Sequence, residues 1–166
     1  RMTIAATQKL KKFMYYISRS VPVKINFSDM ARDLELNRDE LPKYLEYLEK
    51  AELVSVLRMK ANGDAILRKM DKLYLQNSNM SYVLSGENPD TGNARETIFY
   101  CWTKQKYDTV ESPVSDFEID GKTFEVGGRN KGKKQISNLK NAYVVKDTIE
   151  YVFDNQVPLW MFGFLY

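Results

Sequence analysis

The chain has 166 residues, 43% hydrophobic and 28% charged, with a net charge of +3. This is the composition of a soluble globular protein of one domain or two small ones, and the charge is too small to mark a nucleic-acid binder by itself. Histidine is absent and Cys101 is the single cysteine, which excludes Ser-His-Asp and Cys-His catalysis, His-dependent zinc sites and an intrachain disulfide, and points to a reducing, cytoplasmic compartment. Any metal site has to be built from carboxylates and carbonyls, which suits Mg²⁺, Mn²⁺ or Ca²⁺. No signal peptide is visible. The longest apolar run, VPLWMFGFLY at 157–166, is half the length of a membrane span and reads as a buried terminal segment. The chain opens on Arg1 with helical pattern almost at once, as a fragment of something longer would.

Leu10, Phe13, Met14 and Ile17 fall at i, i+3, i+4, i+7, which predicts an amphipathic helix over 3–19. Ser20-Val21-Pro22 ends it. Phe27, Met30, Ala31 and Leu34 repeat the spacing in a short second helix with Ser28 as its N-cap. A third helix carries Leu41, Leu45 and Leu48. Asn37 and Glu40 have capping-box spacing, and Leu36 with Leu41 has the staple spacing. Pro42 belongs in a first turn and deletes a backbone bond any deeper, so a loose first turn is expected there.

Next come LVSVLRM (53–59), Asn62-Gly63 and AILRKMDKLYL (65–75), two strands around a turn. Three short helices and a hairpin make a winged-helix arrangement, whose third helix ordinarily enters the DNA major groove. Here 29–52 holds eight acids against four bases, a net −4, and duplex affinity rests on phosphate neutralisation. The wing (Arg58, Lys60, Arg68, Lys69 and Lys72 against Asp64 and Asp71) is +3. Both a packing or partner module and a DNA contact stay open.

In the second half, 72–75 is a short strand, 78–84 is helical and 85–93 is a polar loop. Residues 94–106 read as a helix with Ile98, Cys101, Trp102 and Gln105 on one side and Glu96 near its start. Strands are expected near 107–111, 142–146 and 149–153, with a helical turn over 134–139. This order suggests a mixed sheet with helices packed on it.

The organising stretch is 114–134, VSDFEIDGKTFEVGGRNKGKK. Asp120-Gly121 between two alternating runs is a strong hairpin signal. With those residues as the turn, Ile119 faces Lys122, Glu118 faces Thr123, Phe117 faces Phe124 and Asp116 faces Glu125. One face holds Phe117, Ile119, Phe124 and Val126. The other holds Asp116, Glu118, Thr123 and Glu125. Opposed residues have Cβ atoms about 5 Å apart, and like charges there destabilise. Two opposed carboxylates either stay in water or hold a cation between them. From Gly121 to Lys140, six bases (Lys122, Arg129, Lys131, Lys133, Lys134, Lys140) stand against Glu125, a net +5. Acids for a divalent cation beside bases for a phosphodiester backbone make the constellation of a metal-dependent nuclease. A solvated hairpin face beside a Lys-rich loop is the plain alternative. The match of 127–133 to GxxxxGK lacks the Ser or Thr that holds Mg²⁺ in a P-loop, because position 134 is lysine.

Helix-borne Glu96 in ARETIF, Asp116 in SDFEID, Glu125 in FEVGGRNK and Gln135 in KKQI come in an order that resembles the PD-(D/E)xK, restriction-endonuclease-like superfamily. DKLYLQNSNMSYVLSG, FEVGGRNKGKKQI, AYVVKD and VPLWMFGFLY, with the helical stretch SRSVPVKINFSDMARDLELNRDELPKYLEYLEKAELV, more closely resemble the C-terminal part of a family of prokaryotic AAA-type ATPases. In that family a P-loop ATPase domain precedes a winged helix and a nuclease-like domain. The resemblance covers nearly the whole chain. It implies a winged helix over 1–70, a restriction-endonuclease-like α/β domain over 71–166, an α+β or α/β class overall, and an ATP-binding domain upstream as a partner. It places Asp116, Glu125 and Glu96 as Mg²⁺ ligands, with Gln135 beside them. Lys122, Lys133, Lys134 and Lys140 are expected to meet nucleic acid. One position departs from the pattern. Active members carry lysine two residues after the second acid, where this chain has Gly127. Arg129 or Lys131 could reach back, or the site is dead and the fold serves DNA or protein contact. Three functions follow as expectations: an accessory module of an ATPase, an active Mg²⁺-dependent DNA nuclease, and a protein–protein interaction module.

Overall fold

In the computed structural model, residues 3–59, 71–85, 90–130 and 136–165 are described. The fold is mixed α+β with two sheets. The chain divides into two compact units, Arg1–Val56 with Met70–Pro89, and Leu57–Lys69 with Asp90–Tyr166.

In the first unit, α1 (Ile4–Ser20) is capped by the Thr3 hydroxyl on Ala6 N–H. It buries Phe13, Met14 and Ile17, as the periodicity predicts. Helix α2 (Phe27–Leu34) takes its N-cap from Asn26 rather than Ser28: the Asn26 side chain accepts from the N–H groups of Ser28 and Asp29. Two residues upstream, an amide oxygen reaches both donors that Ser28 would have left open. Asn37 caps a 3-10 turn over Arg38–Glu40, and helix α3 (Leu41–Lys50) starts behind it with Pro42 in its first turn. This is the loose start that Pro42 demands. Glu40 does not complete a capping box, because its carboxylate accepts from Lys9 and Tyr44 instead.

Two helices close the same way. Glu35 and Glu52 both have φ of 53°, and the next N–H reaches back to the helix, Leu36 to Ala31 at 2.9 Å and Leu53 to Leu48 at 3.0 Å. The left-handed residue turns the chain so that the following leucine folds onto the helix it has just left. The helices enclose one core with the sheet, built on Phe13, Ile17, Met30, Leu41, Leu48, Leu73 and Leu75.

The first sheet has the order β1 (Val23–Lys24), β3 (Lys72–Leu75), β2 (Val54–Leu57). The expected boundary at residue 70 splits this sheet. Strand β3 lies at its centre and α4 (Asn79–Ser85) follows it within the first unit, because β3 supplies the hydrogen bonds that β1 and β2 need. The expected Asn62-Gly63 turn and the strand over 65–70 lie outside the described residues.

The second unit is a five-stranded sheet in the order β4 (Val110–Glu111), β5 (Phe117–Ile119), β6 (Lys122–Gly127), β7 (Ala142–Lys146), β8 (Gln156–Pro158). β4, β5 and β6 run antiparallel, and β6, β7 and β8 parallel. The hairpin has the expected register, Phe117↔Phe124, Glu118↔Thr123 and Ile119↔Lys122. Asp120 and Gly121 have φ of 49° and 73°, the two left-handed positions that a type I′ turn requires.

Helix α5 (Thr91–Thr103) covers this sheet with a different face from the one expected. Thr97, Phe99, Tyr100 and Thr103 are buried, while Trp102 is exposed. Phe99 meets Phe117, Phe124 and Phe162 with ring centroids 5.0, 5.5 and 4.7 Å apart. The threonines join that face because their hydroxyls donate to carbonyls one turn back, Thr97 to Asn93 and Thr103 to Phe99. Satisfied in this way, they bury as small apolar groups, and reading them as polar hid the face. The strand expected over 149–153 is displaced to β8. The terminal segment is a 3-10 run over Leu159–Phe164 with Leu159 buried, and Trp160, Met161 and Phe164 exposed, so the run is only partly covered. Among the described residues, no helix is long and apolar enough to cross a membrane.

Candidate functional site

The hairpin sets the positions of the two central acids. Strand β5 begins at Phe117, and the chain before it winds around Ser112, whose hydroxyl accepts from the N–H groups of Val114 and Ser115 at 3.3 and 3.2 Å. This turn presents Ser115 and Asp116 to β6. Asp116 Oδ2 accepts the Val126 N–H at 2.7 Å. Hydrogen-bonded pairs recur every second residue along an antiparallel ladder. The register therefore reserves the Val126 N–H for a carbonyl at position 115, and the Asp116 carboxylate takes that place where the strand has diverged.

Glu125 is 1% exposed. Its Oε2 accepts from Ser115 Oγ, which also lies 3.1 Å from the Phe124 carbonyl. Opposite Glu125 in the parallel register stands Val144, which clusters with Ile136 and Ala142. A buried carboxylate needs donors, and Ser115 supplies one. The two opposed acids are thus each engaged by a protein donor. Among the described residues, no group of three or more acidic or cysteine side chains is placed to hold a metal ion. Glu96, Asp116 and Glu125 do not form a three-ligand set.

Glu96 and Arg129 come together elsewhere. They line one cleft of about 490 Å³ with Gly92, Arg95, Val126, Gly127, Gly128 and Asn130. The cleft lies between the start of α5 and the turn after β6. Asp116 and Glu125 are not among its lining residues, so Glu96 and the two hairpin acids serve different places. Lys122 and Lys140 are exposed on the same unit. Lys131, Lys133, Lys134 and Gln135 lie outside the described residues.

Two basic residues near the expected site escape the sequence reading. The register sets Lys146 opposite Gly127, at the position where the expected lysine is missing, and its Nζ lies 3.5 Å from the Arg129 carbonyl. Lys146 ends the AYVVK strand, but a parallel register has no local signal. The other is Arg95, next to Glu96, whose Nε donates to Asp147 Oδ2 at 2.6 Å. That pair joins residues 52 apart in sequence.

A family model described as "Domain of unknown function (DUF8612)" matches residues 2–91, which contain α1 to α4. Protein NETWORKED 1B of Arabidopsis thaliana is 23% identical over 146 residues, 84% of this chain and 8% of that protein; the chain spans under a tenth of that relative's length. No solved structure matches. The acids and bases from Glu96 to Lys146 lie beyond the family match.

Proposed function

The chain belongs to the DUF8612 family, and we propose that it is a non-cleaving accessory module of an AAA-type ATPase, a winged helix joined to a degenerate nuclease-like domain that contacts the nucleic-acid backbone. The observation that carries the reading is the engagement of both hairpin acids. Asp116 closes the end of a ladder and Glu125 is buried against Ser115. A cleaving site needs carboxylates that reach a metal and its water, and Glu125 is 1% exposed. Gly127 in place of the lysine argues the same way. Backbone contact is supported by cationic side chains on one unit: exposed Lys122, Arg129 and Lys140, and half-buried Lys146.

The test is duplex affinity against salt, with strand integrity followed in Mg²⁺ and Mn²⁺. A negative slope of log affinity on log salt is expected. It should shrink by about 0.9 for each phosphate contact removed when Arg129, Lys140 and Lys146 are neutralised. A flat slope removes nucleic-acid contact. Metal-dependent cleavage abolished by Asp116→Asn would establish the nuclease instead. The ATPase link is tested by reading the complete coding sequence for GxxxxGK[ST] upstream of Arg1; its absence sinks that part.

A second reading, docking of a partner protein, has its own observation. Phe153, Trp160 and Phe164 are 75%, 50% and 67% exposed, and the rings of Trp160 and Phe164 meet with centroids 6.0 Å apart; apolar side chains gathered in water mark interaction surfaces. If Phe153→Ser with Phe164→Ser leaves binding to the upstream ATPase domain unchanged, that reading fails.

A further inference from the structure

The cleft at the start of α5 shares Arg129 with the proposed backbone contact and adds a group which that function does not use, Arg95. Arg95 is held from behind. Its Nε donates to Asp147 Oδ2 at 2.6 Å, and its side chain keeps only 20% of its exposure. An arginine anchored through Nε still presents the N–H groups of both Nη atoms in a planar fork, and that fork matches two oxygens of one oxyanion. The guanidinium also lies flat against the chain at Gly128. A Cβ built there would stand 3.0 Å from Cζ and from one Nη, and 3.1 Å from the other. A side chain at this position would press on the guanidinium and ask it to give by a few tenths of an ångström. Arg129 lines the same cleft and adds a second guanidinium. The volume, about 490 Å³, exceeds a bare oxyanion and lies within the range of small-ligand sites.

We propose that this cleft is a binding site for a phosphate monoester, with the Arg95 fork, positioned by Asp147 and seated on Gly128, as the phosphate-holding group. Phosphate is favoured over carboxylate because a second arginine, Arg129, lines the cleft and a monoester offers three terminal oxygens where a carboxylate offers two. Glu96 is the acid among the lining residues, and it sets the cleft against long polyanions such as a triphosphate. The site goes beyond the proposed contact with a nucleic-acid backbone and does not depend on it. A phosphate monoester reaches it either on a small molecule or at the end of a polynucleotide strand.

Binding is measured on the full chain by calorimetry with inorganic phosphate, adenosine 5′-monophosphate and adenosine, in buffers of matched ionic strength. The monophosphate should bind and adenosine should not. Arg95→Gln should weaken the monophosphate about tenfold or more, the scale of a lost charge-assisted fork. Arg95→Lys keeps the charge and removes the planar fork, so it should also weaken the monophosphate, with the far-ultraviolet spectrum unchanged. Lys122→Gln with Lys140→Gln should leave monophosphate binding intact while reducing any duplex affinity, which separates this site from the proposed function. Competition by a 5′-phosphorylated oligonucleotide and not by its 5′-hydroxyl twin assigns the phosphate to a strand end; competition by neither assigns it to a small molecule. Equal binding of monophosphate and adenosine, or wild-type affinity in Arg95→Gln, overturns the proposal.

Discussion

The Asp116 carboxylate accepts the backbone N–H of Val126 at 2.7 Å, one ladder step beyond the last paired residue of β5. An acid whose cross-strand neighbour is also an acid has been given a structural task. The charge that looked like a metal ligand terminates a β-ladder, and Ser115 takes care of Glu125 beside it. Removing one partner of a half-buried, charge-assisted bond costs about 1–3 kcal/mol. Asp116→Ala should therefore lower unfolding stability in urea by that amount, and Asp116→Asn, which keeps an acceptor, by less. The loss should be the same with and without magnesium. A loss that appears only when magnesium is present would return Asp116 to a metal site.

The hairpin turn makes a cleaner demand. At Gly121, φ is +73° and an added Cβ would meet nothing within 4 Å. The strain of Gly121→Ala is thus wholly in the backbone, about 1–2 kcal/mol. Asp120, also left-handed, should tolerate glycine at little cost. Chemical denaturation of the two variants checks this. Equal stability for Gly121→Ala and wild type would mean that the turn is not type I′.

In the first unit, the Lys9 ammonium donates to Glu40 at 2.7 Å. This hydrogen bond holds the Glu40 carboxyl below its ordinary 4.5, against a smaller opposing effect of burial. The same bond holds Lys9 above its ordinary 10.5. A depressed acid contributes stability above the ordinary carboxylate range and loses it as pH falls through the lowered value. A raised lysine contributes it below its ordinary value and loses it as pH rises through the raised one. Carbon-detected titration of Glu40 should give a midpoint below 4.5, returning upward in Lys9→Gln. An unchanged midpoint in the variant would show that the pair is not formed in solution.

Cys101 sits on α5 with its thiol pushed up to about 11 by burial, Lys104 pulling weakly the other way. Only thiolate reacts readily. Alkylation at neutral pH should be slow in the folded chain and should accelerate on adding urea. A rate equal to that of a free thiol would place the cysteine in water.

Helix α1, the loose start of α3 and the register of the Asp120-Gly121 hairpin were legible because each is governed by neighbours in sequence: a 3.6-residue period, a proline in a first turn, two left-handed residues between alternating runs. The buried face of α5 was not, because Thr97 and Thr103 lose their polarity to bonds with their own helix. The place of β3 between β1 and β2 was not legible either, since nothing local says which distant strand completes a ladder.

The candidate site divides along the same line. The register from Phe117↔Phe124 to Ile119↔Lys122 followed from the alternation of side chains about a two-residue turn, so the sequence determined it alone, and the pairing ends one step short of Asp116. What the Asp116 and Glu125 carboxylates do depended on where the chain before β5 bends and which donors it carries, and that path is set by packing. Lys146 opposite Gly127 and Arg95 on Asp147 are products of a parallel register and a 52-residue separation. Pattern fixes which face a side chain takes. Only the closed fold decides what meets it there, because contacts between distant segments are selected by burial and hydrogen-bond satisfaction over the whole unit.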